Sequence, residues 1–188
     1  LDALERLFET LAEPEDLLEI YRKKSELTTD MAEQLSYLFR MAEVLTERLE
    51  RPEEAIDAIQ QARALQPENA EATERLDALL VHTEQWDDLA ALLDDLVNVA
   101  NDEEAISLML RRAELTEHQL GNPAEAIARY GDILALAPDQ AGVVTALELL
   151  FDEPDFAGEV APLLQPVYER RNDWQRLIGV FQVRVDTS

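Results

Sequence analysis

Apolar residues recur every three or four positions along almost the whole chain, as at Leu1, Leu4, Leu7, Phe8 and Leu11 and again at Leu76, Leu80, Leu89 and Leu93. That spacing belongs to helices that each turn one stripe toward a core. Glycines number 5, and the 8 prolines fall mostly between the periodic stretches rather than inside them. Ala, Leu, Glu, Gln and Arg fill the remainder with few alternating β-branched runs, so the chain reads as all-α. Start and stop signals predict helices near 2–12, 14–26, 30–50, 52–65, 69–82, 85–99, 102–120, 123–136, 139–151, 155–170 and 173–185. The sharpest boundary is Asn122-Pro123-Ala124-Glu125, which supplies an N-cap, a proline at the first helical position and a capping-box glutamate, with Gly121 suited to ending the helix before it. The short connections make neighbouring helices antiparallel.

The pattern also repeats. Laying 40–70 on 111–141 gives twelve identities, among them Arg40/Arg111, Ala42/Ala113, Pro52/Pro123, Ala55/Ala126, Ile56/Ile127 and Pro67/Pro138. Small, large and helix-breaking residues match in one order, which an Ala-rich and Leu-rich composition does not enforce. With a slight slip the same shift reaches the flanking helices, pairing Asp16-Leu17 with Asp88-Leu89, so the repeating unit is about four helices.

The stretch from Pro52-Glu53-Glu54-Ala55-Ile56 through Ala62, Leu65 and Pro67 resembles the second helix and closing proline of a tetratricopeptide repeat. Pro123-Ala124-Glu125-Ala126-Ile127 through Tyr130, Leu136 and Pro138 is similar to it again, and Ala42 and Ala113 hold the small residue of the preceding helices. The pattern is clearest in 38–72 and 109–141, with degenerate hairpins at 1–26, 70–99 and 155–185. Departures are visible: an extra residue in the turns before Pro52 and Pro123, Ile133 for a small residue, and Leu89 for alanine. The resemblance implies an all-α superhelix, a right-handed α-solenoid of about five hairpins, as a single repeat domain of residues 1–188 and a segment of a longer chain. After Pro138 two registers compete. The internal shift equates 155–170 with 85–99, whereas hairpin spacing makes it the first helix of a new hairpin.

Charge narrows the partners. With 41 acidic and 16 basic residues the net charge is −25, which repels nucleic acid and anionic membranes and leaves basic or neutral partners. No uncharged apolar run approaches the roughly 20 residues of a bilayer span. The absence of Cys excludes disulfides and thiolate chemistry and suits any compartment equally, so localisation stays open. No glycine-rich phosphate loop, nucleophile elbow or HExxH motif is present, so neither an enzyme activity nor a cofactor is expected. His82 and His118 fall near helix C-termini, where the dipole favours them. Glu114 and His118 are one turn apart but lack the third ligand of a metal site. Trp86 and Trp174, each with Leu three residues on, are expected as core anchors, and the acidic runs as helix starts.

In successive first helices Arg40, Arg75 and Arg111 hold equivalent places. The resemblance implies that this face lines a groove for a partner peptide or helix, with Phe39, Glu43, Glu47, Glu71, Glu74, Glu114 and His118 beside the arginines. Intramolecular ion pairing between the same residues is the competing explanation. The family's clamp for a terminal carboxylate is not reproduced. The chain is thus expected to be a noncatalytic interaction scaffold, of a style similar to bacterial repeat arrays. Its partner would be a protein or peptide of basic and apolar character. A structural spacer or self-association module and an accessory domain of an enzyme are the alternatives.

Overall fold

The computed structural model describes residues 13–186, and the expected helix near 2–12 lies outside them. The described residues form ten α-helices: α1 Pro14–Leu27, α2 Met31–Glu47, α3 Pro52–Leu65, α4 Ala70–His82, α5 Trp86–Val97, α6 Asp102–His118, α7 Pro123–Leu136, α8 Ala141–Phe151, α9 Ala157–Arg171 and α10 Trp174–Asp186. They start where the sequence signals place them because those signals are satisfied physically. Asp30, Asn69, Asn101 and Asn122 each accept a backbone N–H of the first turn with the side chain. Pro14, Pro52 and Pro123 occupy the first turn, where a missing N–H costs nothing.

The helices fall into two compact units, one ending at Gln85 and the other starting at Trp86. That division coincides with the internal repeat. Helices α2 and α6 are equal in length, as are α3 and α7, and one offset carries both Met31 to Asp102 and Pro52 to Pro123. In the first unit α1 packs on α2, α2 on α3 and α3 on α4. In the second the same succession runs α5, α6, α7 and α8, and α9 packs on α8 and α10. Helix α9, in the segment after Pro138 where two registers compete, thus packs on both the helix before it and the helix after it. Helix α9 also reaches α7, where a Cβ added to Gly131 would stand 3.2 Å from Leu163 Cδ2, so the small residue permits the approach.

Equivalent positions are buried in both copies. Met41, Ala42, Val44 and Leu45 of α2 correspond to Arg112, Ala113, Leu115 and Thr116 of α6, and all eight are buried. The alanines on which the sequence resemblance rests, Ala55, Ala62, Ala113 and Ala126, are wholly enclosed, which lets antiparallel helices approach closely enough for the larger side chains to interlock. Ile133, which replaces a small residue, is enclosed as well, within a core that includes Tyr130, Leu147, Leu164 and Val180. Trp174 departs from expectation. It is 63% exposed, because Leu177 and Val180 take the inward stripe of α10 and leave Trp174 with Ile178 and Phe181 facing out. Trp86 is half-buried.

The extra residue before each proline has a definite role. Glu50 (φ 54°) and Gly121 (φ 62°), at equivalent places in the two copies, adopt the left-handed conformation. The chain then turns so that Arg51 N–H donates to Leu45 O at 2.8 Å and Asn122 N–H to Thr116 O at 2.9 Å. This alters the expected capping box. The Asn122 N–H is already committed to the preceding helix, so Glu125 receives the Asn122 side-chain amide at 3.0 Å instead of the backbone N–H. Glycine adopts φ > 0 without the Cβ clash that costs other residues roughly 1–2 kcal/mol, although it loses more backbone entropy on folding. Glu50→Gly is therefore expected to stabilise the first unit by about 0.5 kcal/mol. Slower amide exchange in α2 and α3 would show it, and unchanged exchange would refute it.

Candidate functional site

In the first unit, α2 and α4 bring together much of the residue set implied for a groove. The Arg75 guanidinium lies 4.9 Å from the centre of the Phe39 ring, joining the two helices through a cation–π contact. Arg75 Nη2 also meets Glu71 Oε1 at 2.8 Å, one turn earlier on α4. Phe39 and Arg75 are half-buried, while Glu43, Glu47, Glu71 and Glu74 are exposed around them. The arrangement is an acidic surface with one aromatic and one guanidinium at its centre. Intramolecular pairing is thus real for Arg75, yet the pair is exposed and of small net energy, so exchanging its partner for an outside carboxylate or ring costs little.

Arg40 does something else. Its guanidinium sits 5.7 Å from the centre of the Tyr21 ring, toward α1 rather than Arg75. Tyr21 itself stacks on Tyr37 with ring centres 6.2 Å apart, and Lys24 Nζ stands 5.3 Å from the Tyr37 ring. The sequence equivalence of Arg40 and Arg75 therefore does not carry over to their contacts, because Tyr21 offers Arg40 an aromatic face on the preceding helix.

In the second unit Arg111, Glu114 and His118 are all exposed on α6. His118 Nδ1 lies 3.7 Å from Glu117 Oε1, at the C-terminal turn where its place in the chain put it. His82 likewise ends α4. Among the described residues no group of three His, Asp or Glu side chains has the geometry of a metal site. No helix among them is long and apolar enough to cross a membrane.

Apart from Tyr130, the polar interactions at the heart of this unit involve residues the sequence pattern did not single out. Arg112, next to Arg111, is buried, with its Nε 3.3 Å from Asp94 on α5 and its Nη1 donating to Thr116. Arg129 on α7 approaches the same Asp94 at 3.7 Å and holds Glu125 at 2.8 Å. Tyr130 donates its hydroxyl to Glu117 at 2.7 Å, and Tyr168 to Glu148 at 3.1 Å. Burial, followed by the adjoining carboxylate, pushes the Tyr168 hydroxyl up to about 12 and moves that of Tyr130 further in the same direction. Arg176 completes the second pair by bonding Glu148 and placing its guanidinium 5.7 Å from the Tyr168 ring. For the others the signal in the sequence was a contrast between copies: Arg112, Thr116 and Arg129 stand where the first copy has Met41, Leu45 and Ala58.

No family model matches the chain, and no curated protein matches it. Among solved structures, the chain over its full length is similar to 94% of the one titled "MamA RS-1 ArsTM double mutant", at 12% identity and a TM-score of 0.44.

Proposed function

We propose that this protein is a noncatalytic interaction scaffold that holds a peptide or helical segment of a partner protein on the α2–α4 face of its first unit. The observation that carries the reading is the Phe39–Arg75–Glu71 cluster, in which an aromatic ring and a guanidinium stand half-exposed within a field of carboxylates. Such a surface offers an apolar anchor together with charge for a basic and apolar segment, the combination by which repeat scaffolds gain both affinity and on-rate. On α6 of the second unit, Arg111, Glu114 and His118 are proposed as a separate contact surface for a partner.

The test is affinity capture at low and high salt with the wild-type chain, Phe39→Ala and Glu71→Lys as baits. A partner held by the wild type and released by high salt is expected to be lost from both variants, each substitution costing about 1–2 kcal/mol, or roughly ten-fold in affinity. Retention by both folded variants would overturn the reading. A second reading, self-association, is favoured by one observation: Trp174, Ile178, Phe181 and Val185 form an exposed apolar stripe along α10. Sedimentation across a concentration series separates the two, since only self-association makes the apparent mass rise with concentration and fall on Trp174→Glu.

A further inference from the structure

Between α1, α2 and α3 lies a cavity of about 310 Å³, lined by Arg22, Ser25 and Glu26 of α1, by Leu38, Met41 and Leu45 of α2, and by Glu54, Asp57, Ala58 and Gln61 of α3. Its floor is apolar, because Leu38, Met41, Leu45 and Ala58 are all buried. Its rim carries three carboxylates, from Glu26, Glu54 and Asp57, against the single guanidinium of Arg22. Glu54 is engaged by Arg51, whose Nη2 lies 2.6 Å from Glu54 Oε2, while Glu26 and Asp57 stand exposed at the opening.

The second copy shows what the same place in the fold accommodates. The positions of Met41, Leu45 and Ala58 are taken there by Arg112, Thr116 and Arg129, and that of Arg22 by Asp94. Two long basic side chains rise between the equivalent helices, α5, α6 and α7, and meet the carboxylate of Asp94, with the Arg112 side chain only 9% exposed. A guanidinium with its aliphatic stem on an apolar floor is therefore compatible with the packing of these helices. The first copy has shorter side chains where the arginines stand, and around the space they leave the three carboxylates of Glu26, Glu54 and Asp57 outnumber the one guanidinium of Arg22, which replaces Asp94.

We propose that this cavity receives a single arginine or lysine side chain presented by a partner protein. The stem would lie on Met41, Leu45 and Ala58, and the charged head would meet Asp57 and Glu26 at the rim. Charge complementarity selects this occupant: a cationic side chain neutralises the rim, whereas an apolar one leaves carboxylates partly desolvated and an acidic one is repelled. The site is distinct from the α2–α4 face. Met41 and Leu45 line the cavity, whereas Glu43 and Glu47 are exposed on another side of α2, so loss of binding at Phe39 and Arg75 leaves this proposal standing.

The full chain carries 3 methionines, at positions 31, 41 and 109, so ¹³C-methyl labelling places one reporter on the cavity floor and two elsewhere. Titration with N-acetyl-arginine amide is expected to move the Met41 methyl signal saturably and leave Met31 and Met109 in place. The uncharged isostere N-acetyl-citrulline amide is expected to move it little. Glu26→Gln with Asp57→Asn, whose side chains are exposed, is expected to weaken the titration about five-fold. Ala58→Arg, which installs the second copy's residue and fills the space from within, is expected to abolish it while helicity is retained. An unmoved Met41 signal, equal response to citrulline, or indifference to the rim double substitution would each overturn the proposal.

Discussion

Replacing Asp94 with alanine is expected to destabilise the second unit by about 2–3 kcal/mol, although Asp94 is half-exposed and would ordinarily be dispensable. The loss falls on its partner. Arg112 lies within the helix packing with its side chain 9% exposed, and Asp94 supplies the compensating charge with both oxygens 3.3 Å from Nε. Without it the guanidinium keeps Thr116 as a neutral acceptor and bears most of its desolvation uncompensated. The figure stays below what breaking a fully buried pair costs, because water reaches the Asp94 side. Removing the charge together with its need for a partner has a different outcome. Arg112→Met with Thr116→Leu installs the residues that the first copy carries at 41 and 45, and it is expected to change stability by less than about 1 kcal/mol. Amide exchange along α6 reads both effects within the unit. Equal protection in Asp94→Ala and wild type would show that the ion pair adds nothing.

Truncating Tyr130 to alanine is expected to cost about 3–5 kcal/mol, the largest effect of any single change considered. Its ring is fully buried in the core cluster with Ile127, Ile133 and residues of the neighbouring helices, so truncation leaves a cavity into which the surrounding packing relaxes only in part. Tyr130→Phe keeps the ring and removes only the hydroxyl donated to Glu117, at an expected cost of about 1–2 kcal/mol. The two changes also differ in pH dependence. A tyrosine whose hydroxyl is held protonated in the folded state contributes no pH-dependent loss below its unfolded value of about 10. As pH rises past that value the unfolded chain releases the proton first, and stability falls. Tyr130 and Tyr168 are both raised by burial and by a neighbouring carboxylate, so alkaline unfolding is expected to begin above pH 10. Thermal unfolding followed from about pH 8 to about pH 11.5 should show a steeper decline in wild type than in Tyr130→Phe with Tyr168→Phe. Parallel curves would refute it.

Much of the architecture was legible because local chemistry and global fold agree. Pro52 and Pro123 at helix starts, Asn122 as a cap, and the alanines at equivalent positions each act over a few residues, so a linear pattern records them. The duplication was legible for the same reason: α6 and α7 begin at Asp102 and Pro123, the positions that the internal shift assigns to Met31 and Pro52. The division into units falls at Trp86, where the second copy opens. For the candidate site, the resemblance grouped Phe39, Glu71 and Arg75, which meet across α2 and α4, but it equated Arg40 with Arg75, whose contacts differ. It also drew attention to Arg111 when Arg112, one residue on, is the buried one. A helix turns about 100° per residue, and long arginine side chains tolerate either face, so composition alone does not say which of two adjacent arginines enters the core.

By itself the sequence determined the helices, their order, the antiparallel hairpins and the doubling of a four-helix unit, since caps, prolines and apolar period all operate within a turn or two of the backbone. Tertiary packing alone decided that Trp174 faces outward, that Asp94 gathers two arginines, and that the first copy lines a cavity with Met41, Leu45 and Ala58 where the second places Arg112, Thr116 and Arg129. Those outcomes depend on which side chains, many residues apart, occupy the same space between three helices. That is settled by packing volume and charge rather than by any local preference.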